Sequence, residues 1–370
     1  MFRLALANLV QNKTRLLISA GGVGLALTLV LLFGAIFQGA EDRLTVYIDH
    51  AGADIWVSQQ DVRTMHMSES AIPIAVVDQV KAVPGVAAAV PVLYTSDILQ
   101  ANGKENIAYV FGVPTNAPLG SAWHVTKGSA TPGPGEILID HAIAGQLGVG
   151  VGDKVTAIGQ QLTVSGLTSG TSTIVSAVSF VRFEDFAALR GGGQVASYVL
   201  VKVSPGAAVA AVADRIARGV GGVTVQTKQQ FAANERRLVT DMTADLISIM
   251  NDAGYLTGLA VVVLTIYIAT VARRREYGVL KAMGVRNSRL VQVVVVQALA
   301  IAAIGFFTGL AITLVLAVVI PSVNELLVLT VSSASLIRVA VVAALLAGVA
   351  ALLPAWQLAG LEPVAIMRRR

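Results

Sequence analysis

Cysteine is absent from the 370 residues. That excludes disulfides, thiolate metal sites and cysteine nucleophiles, and it leaves the redox compartment unread, because a cysteine-free chain suits either side of a membrane. Charge is scarce as well: Asp, Glu, Lys and Arg make up 13% of the residues, against about 25% in a soluble domain. Too few polar side chains are present to clothe a water-facing surface of this size. The apolar excess, 55% hydrophobic with mean hydropathy +0.72, must face lipid. No HExxH and no nucleophile elbow occurs, which argues against a membrane-bound enzyme. The net charge of +5 does not point to nucleic acid, since the Lys and Arg residues cluster beside apolar runs instead of on a polar face interleaved with aromatics. Control of membrane topology is the better reading.

Four runs reach the length of about 20 apolar residues that a hydrocarbon crossing needs. They are roughly Leu16 to Phe37, Ala253 to Ala272, Leu290 to Ile320, where Pro321 is expected to stop the helix, and Val339 to Leu358. The first is too long for a cleavable signal peptide and reads as an uncleaved anchor. Arg3, Lys13 and Arg15 precede it. The second-to-third connection carries Arg273, Arg274, Arg275, Lys281, Arg286 and Arg289, and the tail carries Arg368, Arg369 and Arg370, whereas the short connection Pro321 to Ser335 has no Lys or Arg. By the positive-inside rule both termini lie in the cytoplasm of a multi-pass cell-membrane protein, with the region of about 41–245 outside.

The expected domains follow. Residues 1–40 are an N-terminal amphipathic segment and the first transmembrane helix, 41–245 an extracytoplasmic domain, and 246–370 three more transmembrane helices with a cytoplasmic helix at about 273–287. The outer domain reads as α+β. "ADIWVS", "AAAVPVLY", "ENIAYVFGV", "GEILID", "SYVLVKV" and "VTVQTKQQF" look extended, while "IAVVDQVKAV", "HAIAGQLG" (closed by Gly148) and "AAVAAVADRIARGV" have helical spacing. "VGDKVTA" with "QQLTVSGLT" resembles a hairpin. Two strand–helix–strand halves thus flank a β-rich insertion at about 97–190, and a charged helical stalk at about 231–252 leads into the second span.

The connection "RRREYGVLKAMGVRNSRLVQVVVVQ" reads from its residues as three arginines at the membrane edge. A short helix follows, with Val279, Leu280 and Met283 on one face and Gly284 where a C-cap belongs. Such a helix either lies in the lipid interface or fits a groove on a partner.

Here the chain resembles the MacB/FtsX-like ABC transporter permease family, whose pattern after the second span is matched by Arg273, Glu276, Gly278, Val279, Leu280, Lys281, Ala282, Met283 and Gly284. Tyr277 stands where isoleucine is usual, and Val285 where a small residue is commoner. The tail, through Pro354, Ala359, Leu361, Pro363 and Met367, also resembles the family, as do "LALANLVQNKTRLLISAGGVGLAL", "GADIWVS" and "GEILIDHAIAGQLGVGVGDKV". The resemblance implies a permease subunit, paired with a second copy or a paralogue, that couples a separate ABC-type ATPase to movement of the outer domain for export or extraction of an amphiphile. It makes Arg273 together with Glu276 to Gly284, Tyr277 included, the coupling element. No G-x-x-x-x-G-K-[ST] phosphate loop is present, so no cofactor is expected in this chain and ATP is bound by the partner. The alternative within the same resemblance is an FtsX-like transmitter that regulates an extracytoplasmic partner without transport. A neighbouring membrane-fusion protein would favour efflux.

Other features carry blander readings. Arg338 is expected to snorkel at a helix end, and Glu325 to be solvated. His50, His66, His124 and His141 lack metal spacing. The Met65-His66-Met67 cluster has donors suited to copper or haem iron but reads as a loop contact. Gly21, Gly22, Gly24 and Gly34 suit either packing within the chain or a dimer seam.

Overall fold

The computed structural model describes residues 13–66, 68–172, 176–189, 192, 194–272, 274–323 and 327–359. In chain order the first elements are α1 (Lys13–Leu44), α2 (Val46–His50), β1 (Ile55–Gln59), β2 (Ile72–Pro73), α3 (Ala75–Lys81), β3 (Val86–Ala101) and β4 (Lys104–Val113). There follow β5 (Val125–Gly128), β6 (Glu136–Asp140), α4 (His141–Leu147), β7 (Lys154–Ala157), β8 (Gln160–Thr168), β9 (Ala177–Arg182) and α5 (Phe183–Leu189). The last are β10 (Val195–Ala196), β11 (Tyr198–Val203), α6 (Val209–Gly219), β12 (Val223–Thr227), α7 (Lys228–Ala272), α8 (Arg274–Ala282), α9 (Asn287–Val323) and α10 (Ser333–Ala359). Two compact units emerge. One is helical: Met1–Gly39, Thr243–Val323 and Val328–Arg370. The other is α/β: Ala40–Met242 with Asn324–Leu327.

Among the described residues, four helices are long and apolar enough to cross a membrane, over Leu16–Leu44, Ser248–Ala272, Asn287–Val323 and Ser333–Leu352. Pro321 does not stop the third. The helix runs on to Val323, because so close to its end the missing N–H removes one ladder bond, and the Ser322 hydroxyl donates to the Val319 carbonyl at 2.7 Å in the same turn. Val23, Leu27 and Leu31 of α1, Ile266 of α7, Val294 and Ile301 of α9 and Ala347 of α10 share one buried cluster. Lipid is as apolar as these side chains, so close packing must hold the helices together. Glycine permits it: a Cβ on Gly309 would lie 2.9 Å from the Gly24 carbonyl oxygen, and one on Gly305 2.6 Å from Val23 Cγ1. At Gly39 the approach is tightest, with the Val328 carbonyl oxygen 1.9 Å from where a Cβ would sit.

The α/β unit begins from a 16-residue strand. β3 pairs with β4 from Leu93↔Gly112 to Ala101↔Lys104, and the turn between them is Asn102-Gly103, with φ of 52° and 71°, the left-handed pair that a tight hairpin needs. On one side of β3 the order is β12-β1-β11-β3, all antiparallel. The two strand–helix–strand halves therefore interleave as β-α-β-β-α-β, a ferredoxin-like arrangement. β1 is buried at four consecutive positions instead of alternating, since both faces of this sheet are covered. Ile55 and Val57 pack with Val76, Val80, Val212 and Ile216 of α3 and α6. Trp56 packs with Tyr47, Tyr198 and Phe231.

On the other side, β3-β4-β9-β6-β8 continue the sheet, and β7 joins both β8 and β3, so the pairings close a ring. Leu99, Val110, Ile139, Val155 and Val164 fill it together with Ile143 of α4 and Phe186 of α5. The β-rich part is thus an extension of the β3–β4 hairpin and shares a strand with the first sheet. Local caps behave as their chemistry dictates. Asp140 accepts from the Ala142 N–H at 2.9 Å to start α4, and Gly148 ends it with φ 70°. Residues 228–231, read as strand, are instead the first turn of α7: Thr227 Oγ1 accepts from Gln230 N–H at 3.3 Å, while Gln230 Oε1 accepts from Thr227 N–H at 2.9 Å, a reciprocal cap.

Candidate functional site

The segment singled out by sequence is α8, nine residues between two membrane-length helices. Its end is defined by backbone chemistry. Gly284 takes φ +88°, the Val285 N–H donates to the Leu280 carbonyl at 3.1 Å and the Gly284 N–H donates to the Lys281 carbonyl at 3.0 Å. This pair of bonds closes a helix through a left-handed residue, and any side chain at 284 would strain it.

The helix has two unlike faces. Tyr277 is 2% exposed and belongs to the buried cluster of the helical unit with Ile266, Leu290 and Val294, against which Leu280 and Val285 also pack. Gly278 is buried and Lys281 half-buried. Opposite them, Glu276 is exposed, and Val279 and Met283 are 49% and 68% exposed. Ala282 and Gly284 are exposed too. Positions 276, 279 and 283 share a face by helical spacing. Leu280 therefore does not join Val279 and Met283 on one face: it turns inward beside Tyr277, and the outward stripe is Glu276, Val279 and Met283. Arg273 lies outside the described residues.

The remaining candidates sort themselves by contact. Gly22 faces Val261, Gly24 faces Thr308 and Gly305, and Gly34 faces Ser335, whereas Gly21 has nothing within 4 Å; three of the four glycines serve packing inside the chain. Arg338 is exposed on α10. Glu325 and Met67 lie outside the described residues. His50 stacks on Trp123 with ring centroids 4.7 Å apart, and His141 Nδ1 lies 3.2 Å from the Thr168 carbonyl oxygen. No group of three His, Cys, Asp or Glu suited to a metal occurs among the described residues.

One group escaped the sequence reading. Glu235, in α7, is 0% exposed; its Oε2 lies 2.7 Å from His66 Nδ1, and its Oε1 accepts from the Met65 N–H. Nothing in the spacing connects residues 169 positions apart. Around the pair, burial raises the phenol pKa values of Tyr94, Tyr109 and Tyr198, and the negative charge of Glu235 raises them further.

The chain is similar to known proteins. Residues 16–218 match the model of the MacB-like periplasmic core domain, and 253–363 that of the FtsX-like permease C-terminal domain. A protein of Mycobacterium tuberculosis described as an uncharacterized ABC transporter permease is 23% identical over 327 residues, 86% of this chain and 87% of its own length. One of Mycobacterium bovis with the same description is 24% identical over 328 residues, 86% of each. The periplasmic region of MacB from Actinobacillus actinomycetemcomitans superposes with a TM-score of 0.40 at 12% identity, over 50% of this chain and 94% of that one. The extracellular domain of the noncanonic ABC-type transporter YknZ from Gram-positive bacteria does so at 0.36 and 17%, over 47% and 98%. The core-domain match covers more than half of the chain, the permease match covers the three later membrane helices, and this multi-pass membrane protein belongs to the MacB/FtsX-like family of ABC transporter permeases.

Proposed function

We propose that this permease works with a separate ABC-type ATPase that docks on α8, and that it couples ATP hydrolysis there to movement of the α/β domain for export or extraction of an amphiphilic substrate. In this reading both termini and α8 lie in the cytoplasm, residues of about 41–245 lie outside, α7 carries the stalk of about 231–252, and the subunit pairs with a second copy or a paralogue. The observation that carries it is the two-faced character of α8. Tyr277 and Leu280 root the helix in the packed membrane core, while Val279 and Met283, which would otherwise be wasted apolar surface, stand out with Glu276 beside them. A helix rooted in this way passes a push at its outer face into the helices it packs on. The basic residues that flank it, Arg286 and Arg289, favour the cytoplasmic side.

The test is reconstitution in lipid nanodiscs with a candidate ABC-type ATPase, starting from any encoded beside this permease. A V279D/M283D variant leaves Tyr277 and the glycine cap intact, so it should keep its fold yet bind the ATPase at least about tenfold more weakly, as loss of apolar interface anchors does, and lose ATPase stimulation. Unchanged binding by the variant would remove α8 as the docking element. Stimulation that rises with an added lipid or peptide amphiphile supports export or extraction. Stimulation that answers only to an outer protein partner would instead favour the transmitter reading.

A further inference from the structure

Glu235 is a charged group withdrawn from water, and such a group persists only where partners compensate it. Both of its carboxylate oxygens are committed to one short segment, Oε1 to the Met65 N–H and Oε2 to the His66 ring. His66 is its salt-bridge partner among the described residues, at 2.7 Å with side-chain exposures of 9% and 0%. The next charge on the same helix, Arg236, is engaged elsewhere, 2.9 Å from Thr45 Oγ1 and 3.7 Å from Asp49 Oδ2. The groups that face the pair from β3, β4 and β11 are Tyr94, Tyr109 and Tyr198, phenols that burial and Glu235 hold in the neutral form. The ring of His66 stands edge-on to Tyr109 at 4.6 Å, and its Nε2 is buried with no hydrogen-bond partner. Met65, His66, Ser68, Glu69 and Ser70 also form one wall of a cavity of about 320 Å³, across from Tyr94. Among the described residues, Glu235 is the polar tie between this wall and α7, while Ser58, Tyr198 and Gln226 donate to the Val62, Thr64 and Arg63 carbonyls and hold the preceding residues to β1, β11 and β12.

We propose that His66 and Glu235 form a proton-responsive latch that holds residues 62–66 and 68–70, and with them the cavity wall, against α7. Imidazoles exchange their proton near neutrality. With His66 protonated, the buried carboxylate faces an opposite charge at hydrogen-bond distance in an interior that screens poorly. That attraction outweighs the one orphaned Nε2–H. With His66 neutral, only two hydrogen bonds oppose the cost of burying the carboxylate, and the segment opens more often. The latch is thus tight on the acid side and loosens as pH rises.

Hydrogen–deuterium exchange of the full-length permease in nanodiscs tests this without any ATPase, so its outcome does not depend on the docking role of α8. Protection of the backbone of residues 62–66 and 68–70, corrected for the intrinsic effect of pH on exchange, should fall at least tenfold between pH 6 and pH 8, while β1 and β11 stay protected. His66→Gln keeps a donor for Glu235 but cannot gain a proton, and its protection should not vary with pH. Glu235→Gln should lose the pH response with lower protection at both values. If that variant unfolds, as loss of β11 protection would reveal, His66→Gln decides alone. A wild-type profile flat with pH, or one shared by His66→Gln, overturns the proposal. So does a Glu235→Gln variant that behaves as wild type.

Discussion

The α/β unit and the helical unit are held together by opposite means. Of the largest fully buried side chains, Trp56, Tyr47, Tyr198, Phe111, Phe180 and Phe231 all lie in the α/β unit, stacked on one another as closely as 3.5 Å between Tyr47 and Phe111 and 4.8 Å between Trp56 and Phe231. The helical unit closes instead on Gly24, Gly39, Gly305 and Gly309, and it leaves large residues such as Phe307 and Leu345 on the outside. Water explains the first arrangement and lipid the second. In water, removing apolar area is the driving force, so large side chains go inward. In lipid that force vanishes between helices, so residues that let backbones approach go inward and large ones face the acyl chains. The two units should therefore fail under opposite substitutions.

The largest effect belongs to Trp56→Ala, which empties the centre of the aromatic cluster and should cost about 3–5 kcal/mol, read as a lowered unfolding midpoint of the β signal in circular dichroism. A loss below about 1 kcal/mol would break the comparison. Next is Gly39→Ala, which sets a methyl group against the Val328 carbonyl and should cost about 1–3 kcal/mol in thermal unfolding in detergent. Gly21→Ala, with open space around it, should be neutral or slightly stabilising through helix propensity; equal effects at the two sites would refute close approach as the cause. A smaller term concerns Asp185. Its bond to Arg182, helped by the Gly135 N–H, holds its carboxyl below the ordinary range despite partial burial. A depressed carboxyl adds stability above the unfolded value and loses it as pH falls through the folded one. Asp185→Asn should therefore cost less than about 1 kcal/mol at neutral pH, with the deficit fading on acid titration. Smallest is Phe307→Ala, 66% exposed on α9 and expected to stay within about 0.5 kcal/mol of wild type.

The same contrast explains what could be read in advance. Membrane helices announce themselves by composition over a long window, and the runs of about Leu16 to Phe37 and Leu290 to Ile320 needed no tertiary information, although where their helices end did. Local devices were legible too, Gly148 as one helix end and Gly284 as another; the Asn102-Gly103 pair that joins β3 to β4 is a sequence signal of the same local kind. Faces were harder. Leu280 and Val279 are neighbours of equal hydrophobicity, and which of them turns inward is decided by where α7 and α9 lie, not by α8. Burial of β1 on both faces depends on α6 and Phe231, more than 140 residues downstream of it. The His66–Glu235 pair was invisible for the same reason. A lone histidine and a lone glutamate acquire meaning only when the fold brings them together.

β3 has one more consequence. Its N-terminal half pairs with β11 and its C-terminal half with β4, so the ferredoxin-like sheet and the closed ring are consecutive stretches of one hydrogen-bonded ladder, with no linker between them to bend. Neither portion can swing while the other stands still, and fraying that starts at one end of β3 removes an edge from both. The strands of the two portions should accordingly exchange and melt as one cooperative block, whatever the loops between them do, and a change in their posture has to be a displacement of both together, delivered from beyond their own borders.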